Sequence, residues 1–119
     1  MEIRKARPTI KLQPLRIPSS WEIEYNSFSE LDPENIRKED KRTWVNFTED
    51  LLQTKHKRYN VLIDLGWYPE ADPEGCFGID VIKDMDWENP LETFESRSKS
   101  EVVDKIEELL WRLGEGMID

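Results

Sequence analysis

Residues 59–82 read YNVLIDLGWYPEADPEGCFGIDVI, and the fold turns on them. Tyr59, Val61, Ile63, Leu65 and Trp67 alternate with other residues and so share one face of an extended strand. Phe77, Ile79 and Val81 repeat that pattern on the far side of a connection rich in proline and acid. Two alternating runs joined this way predict an antiparallel hairpin at about 58–68 and 76–83. With residue 72 as its centre, Leu62 faces Ile82 and Asp64 faces Asp80. Like charges directly opposite destabilise a sheet, so that second pair calls for a base, a metal or a partner's arginine nearby. Two solvated carboxylates on an exposed face are the plainer reading.

Working outward, Trp21-Glu-Ile-Glu-Tyr25 alternates strictly and reads as a half-buried strand with Trp21, Ile23 and Tyr25 on one face. Residues 8–18 alternate as well, but their three prolines restrict them to an edge strand or an extended arm. Trp44, Phe47, Leu51 and Leu52 recur at helical spacing and predict a helix over about 41–54, capped by Asp40 or Thr43. Ser98-Lys-Ser-Glu101 is a capping-box sequence. Val102, Ile106, Leu109 and Leu113 form the apolar stripe of a helix over about 99–113, with Gly114 at its end. Together these predict an α+β domain: an antiparallel sheet with both helices packed on one face. Residues 1–20 form a basic arm or edge strand, and 21–119 a single domain.

A chain of 119 residues suits one hydrophobic core. Trp21, Trp44 and Trp67 are assigned to that core, and Trp111 to the sheet edge. Residues 1–20 hold five bases and one acid, whereas 21–119 hold 25 acids and twelve bases. Such an acidic body repels nucleic acid and anionic membrane surfaces and favours a basic protein. The acid is concentrated between Asp64 and Glu95, where ten acids meet only Lys83.

Chemistry-bearing motifs are few. The one cysteine, Cys76, excludes an internal disulfide and reads as a small, partly buried residue. His56 stands alone in the basic run Lys55–Arg58. Asp84, Asp86, Glu88 and Glu95 fall at places 1, 3, 5 and 12 of a calcium-type loop, but Asn89 replaces the glycine that makes its sharp turn. No metal, no cofactor and no catalytic residue is expected. The N-terminus has no apolar segment of the secretory kind.

Trp21–Phe28 (WEIEYNSF), Asp32-Pro33, Glu49–Leu52 (EDLL), Ile63–Glu70 (IDLGWYPE), Asp86–Leu91 (DWENPL) and Phe94–Arg97 (FESR) resemble segments of small bacterial immunity proteins. These protect cells from polymorphic or contact-dependent growth-inhibition toxins, and the likeness covers about residues 21–110. It implies a cytoplasmic, non-enzymatic protein that binds one cognate toxin domain. Such toxins are often nucleases with basic clefts. The resemblance carries over no catalytic or interface residue, and the basic arm has no counterpart in it.

Charge and the resemblance together lead to an expected partner-binding surface. Glu70, Asp72 and Glu74 in the hairpin connection and Asp84, Asp86 and Glu88 after it would meet lysines and arginines. Trp87, which reads either as a lid on the core or as an interface anchor, and Tyr68 would supply contact area, and Asp64 and Asp80 join them as the opposed pair. The chain would act as a monomer or weak dimer. A generic interaction module and a carboxylate-based hydrolase are the alternatives.

Overall fold

The hairpin forms with the expected register, and a five-stranded antiparallel sheet is built around it in the order β1-β2-β3-β4-β5. In the computed structural model, which describes residues 10–118, the strands are β1 (Trp21–Asn26), β2 (Leu52–His56), β3 (Val61–Tyr68), β4 (Cys76–Lys83) and β5 (Glu92–Ser96). Leu62 pairs with Ile82 and Asp64 with Asp80. One long helix, called α2 here (Lys99–Gly114), packs across one face and closes this small α+β fold. The only other α-helix among the described residues is α1 (Lys41–Trp44), a single turn.

Alternation explains which face is covered. Val61, Ile63, Leu65 and Trp67 of β3, with Phe77, Ile79 and Val81 of β4, are buried beneath Val102, Ile106, Leu109, Leu110 and Leu113 of α2. Trp67 lies in an aromatic cluster, with ring centres 5.7 Å from Trp44, 5.0 Å from Phe47 and 5.0 Å from Phe77. Trp21, Trp44 and Trp67 are all buried, whereas Trp111 is exposed.

The helix expected over 41–54 is corrected to one turn followed by a strand. Asp40 caps that turn through both the Thr43 amide and the Thr43 hydroxyl. The chain then leaves the helix and runs beside β3: Ala71 N–H donates to Phe47 O, Trp67 N–H to Thr48 O, and Leu51 N–H to Leu65 O. These bonds use backbone groups that a continuing helix would have kept for itself. Phe47, Leu51 and Leu52 still face the core, but from an extended chain.

Two further expectations change in detail. A β-bulge between Ile23 and Tyr25 shifts the β1 register, so Ile23 faces Thr54 but Tyr25 faces Gln53, on the opposite side of the sheet. At α2, Ser98 accepts from the Glu101 amide as expected, but Glu101's carboxylate takes the Ser96 hydroxyl rather than the Ser98 amide. Gly114 remains helical, and the left-handed residue past the end is Gly116, with φ of 86°.

Within the stretch expected to be a basic arm, residues 1–9 lie outside the described residues. From Lys11 onward the chain straps the domain. Gln13 N–H donates to Phe28 O, Glu30 N–H to Lys11 O, and Arg16 N–H to the Glu107 carboxylate of α2. Leu15 and Ile17 pack against the core. No helix among the described residues is long and apolar enough to cross a membrane.

Candidate functional site

The face of the sheet opposite α2 holds a row of polar side chains aligned by register. Tyr25, Gln53, Asp64, Asp80 and Thr93 lie across β1 to β5 as successive pairing partners. The adjacent row is Gly66, Gly78 and Glu95. Tyr68, one step further along β3, leans back over both glycines, and a Cβ on either would touch its ring. Tyr68, Asp80, Thr93 and Glu95 border an open cleft of about 320 Å³.

The two opposed aspartates have unequal surroundings. Asp64 accepts from Tyr25 Oη at 3.1 Å and from Gln53 Nε2 at 3.3 Å. Burial pushes its carboxyl up; these hydrogen bonds oppose that, while the charges of Asp80 and Asp50 add to it. Asp80 has no hydrogen-bond or ion-pair partner among the described residues. Its carboxyl is raised too, by burial first and then by Glu95. The same field acts on the phenols. Burial, then Asp64 and Asp80, push Tyr68 up to about 12, and Tyr25 is raised still further. Cys76 beside Tyr68 has its thiol raised by burial and Glu95, which opposes thiolate formation. Two partly desolvated carboxylates with the exposed Glu95 beside them, and two neutral phenols among them, make a surface that favours incoming cations.

The structure divides the residues expected to bind a partner. The 69–75 connection and the 84–90 loop lie at opposite ends of β4, whose eight residues separate them by about 25 Å. The hairpin acids have work inside the fold. Glu70 accepts from the Glu49 amide, Asp72 accepts from the Glu74 amide, and Glu74 pairs with Lys38. Trp67 Nε1 also donates to Asp72 O, and Arg97 donates to Gly75 O while lying over the Trp67 ring.

At the other end Asp84 meets Asn60 and Lys83, and Asp86 accepts from Asn89. Glu88 is exposed, and Trp87 is 45% exposed. Tyr68, Asp64 and Asp80 lie between these ends on the open face, joined by Glu95 and Tyr25, which sequence reasoning did not place on the partner surface. Glu95 was hidden because β5 has one apolar residue, Phe94, to mark it as a strand. Tyr25 was hidden by the bulge.

Two other cavities lie apart from this face. One of about 470 Å³ sits at the start of α2 beside Lys99, whose ammonium donates to Ser29 O and Leu31 O. The other, of about 430 Å³, is bordered by Ser20, His56, Lys57 and Tyr59. Among the described residues no three His, Cys, Asp or Glu side chains converge as a metal site. No protein-family model matches the chain, and neither curated proteins nor solved structures show a match to it.

Proposed function

We propose that this protein is a cytoplasmic immunity protein that neutralises a basic toxin domain, such as a nuclease, by covering it with the open face of its sheet. One observation carries this reading. Asp80 sits partly desolvated beside Asp64, with the exposed Glu95 next to it, and no base among the described residues pairs with Asp80 or Glu95. Lysines or arginines of a partner would supply the missing charge, and Tyr68 and Tyr25 would supply flat contact area with hydroxyls. The likeness of six segments to immunity proteins supplies the class of partner. The proposed site therefore centres on β3 to β5 rather than on the hairpin connection.

A carboxylate-based hydrolase needs its acids at the base of a closed site, where water is excluded. Here they line an open cleft, which favours recognition over catalysis.

The test is co-expression with a growth-arresting domain encoded beside this chain, scored for rescue and for co-purification. Wild type should rescue and form a complex whose affinity falls steeply with salt. Asp80→Lys with Glu95→Lys should abolish rescue, at about 2–5 kcal/mol for each charge buried in the complex. A complex without rescue would indicate a generic interaction module. Reversed charges that leave affinity and its salt dependence unchanged would refute the reading.

A further inference from the structure

We infer that the turn after β4 is the hydrophobic anchor of this interface, with Met85 and Trp87 entering an apolar pocket on the basic partner; this rests on the function proposed above. The turn is strained in an unusual place. Asp84 and Met85 both have positive φ, 53° and 60°, and Asp86 N–H closes onto Lys83 O at 3.0 Å. That is a turn of the I′ kind, whose favoured central residues are Asn-Gly or Asp-Gly. Asp84 suits the first position. Met85 occupies the second, where glycine is expected and a residue with a Cβ is disfavoured.

Three contacts hold the turn in place. Asp84 N–H donates to Asn60 O, Asn60 Nδ2 donates to Asp84 Oδ1, and Lys83 Nζ donates to Tyr59 O. All three involve backbone or polar groups and none involves the Met85 side chain. Ala71 offers a contrast: its φ is also positive, at 60°, but its amide ties the hairpin connection to Phe47 O.

Met85 itself is 53% exposed. Trp87 at 45% and Leu91 at 46% accompany it. Three of the ten exposed large apolar side chains among the described residues thus fall in one eight-residue connection. Asp84, Asp86 and Glu88 alternate with Met85 and Trp87 along the chain, so an apolar centre carries an acidic rim. Aromatic anchors ringed by charge are the usual energetic centres of protein interfaces. The rim selects a basic partner, as the open face does. The two regions are also close enough to act together. β4 ends three residues past Asp80, at Lys83, about 10 Å along the strand, and Met85 lies in the turn that follows, inside the roughly 30 Å footprint of a standard interface.

The decisive variant is Met85→Gly, which restores Asp-Gly to the turn. It should leave the melting temperature unchanged or raised, while weakening the complex about tenfold through faster dissociation. Trp87→Ala should weaken it similarly, and Trp111→Ala, exposed on α2, should not. A lower melting temperature for Met85→Gly would mean that Met85 serves the fold, and would overturn the anchor. So would wild-type self-association, read by light scattering, that Trp87→Ala abolishes while partner affinity stays intact. Open-face reversals that weaken a complex left untouched by Met85→Gly and Trp87→Ala would remove the anchor alone. Wild type that binds no toxin domain would remove the functional reading and the anchor together.

Discussion

Gly66→Ala is the most informative single change to the open face. A Cβ at Gly66 would stand 2.2 Å from Glu49 O, 2.7 Å from Tyr68 Oη and 2.8 Å from Tyr68 Cε2. The carbonyl is not free to swing away. The peptide before it is tied twice, Thr48 O by the Trp67 amide and the Glu49 amide by the Glu70 carboxylate, and beyond it Leu51 N–H is held by Leu65 O. Overpacking of this kind costs about 1–3 kcal/mol. Displacing Tyr68 also breaks its hydrogen bond to Glu49 O, worth about 0.5–1.5 kcal/mol. Alanine recovers about 0.5–1 kcal/mol of strand entropy, so the net loss should be about 2 kcal/mol, or on the order of 10 °C in Tm.

Gly78→Ala is the control. Its Cβ would meet only the Tyr68 ring, at 3.3 and 3.4 Å, and the ring can yield. That variant should stay within about 0.5 kcal/mol of wild type, as the ring's displacement and the entropy gain offset each other. In a Tyr68→Ala background Gly78→Ala should stabilise, while Gly66→Ala should remain destabilising because Glu49 O is still there. Urea unfolding followed by tryptophan fluorescence measures all six proteins, wild type included. Full rescue of Gly66→Ala by Tyr68→Ala would refute the argument from the Glu49 carbonyl.

Three further outcomes are expected. Burial pushes Lys99 down to about 8, against the pull of Asp32 and Glu30. Between about pH 8 and 10.5 the unfolded chain therefore holds a proton that the folded chain has shed, and stability rises with pH. Relative to Lys99→Met, wild type should gain about 1–2 kcal/mol between pH 7.5 and 9.5 in chemical unfolding; a flat difference would refute it. The Thr54 hydroxyl is buried without a partner among the described residues, so Thr54→Val should stabilise by about 1 kcal/mol in the same assay. Burial, then Glu95, raises the Asp80 carboxyl from its ordinary value, so its ionisation disfavours the fold at neutral pH. Asp80→Asn should raise Tm at neutral pH, with the gain vanishing below about pH 4, where the carboxyl is protonated in both states.

Strict alternation made the hairpin legible down to its register, because a one-residue slip would have turned Val61, Ile63 and Leu65 out of the core. β2 was not legible for the complementary reason. Its buried face is Leu52, Thr54 and His56, and two of those three read as polar. The spacing of Trp44, Phe47, Leu51 and Leu52 meanwhile imitated a helical stripe, although each reaches the core from a different local conformation. β5 presents Glu92 to the helix side, where Lys105 and Arg112 of α2 receive it at 2.6 and 2.7 Å. An inward acid is recognisable only once its partners on another element are known. The candidate site suffered similarly. The density of acid along the chain pointed to two loops, but hydrogen bonds within the hairpin connection leave its acids engaged, and pairing across strands brings Glu95 beside Asp80.

The contrast between the two faces of β5 gives the charge distribution its meaning. On the covered face Glu92 and Glu108 share Lys105 and Arg112. Burial raises the Glu92 carboxyl, but hydrogen bonds from those bases outweigh it and hold the group below its ordinary value. On the open face, one and three residues away from Glu92 along the same strand, Thr93 and Glu95 flank an Asp80 raised by burial and by Glu95 itself. The fold thus places bases with accuracy on one side of a strand and leaves carboxylates unoffset on the other. Left as it is, the ionised Asp80 opposes folding, which is why Asp80→Asn should stabilise. If those carboxylates are offset only in a complex, the same substitution must weaken binding while it strengthens the fold. Stability and affinity measured on Asp80→Asn therefore separate a surface shaped for a cationic partner from a face that merely tolerates its charge. Tm and affinity moving in opposite directions supports the partner. A rise in Tm with affinity unchanged refutes it.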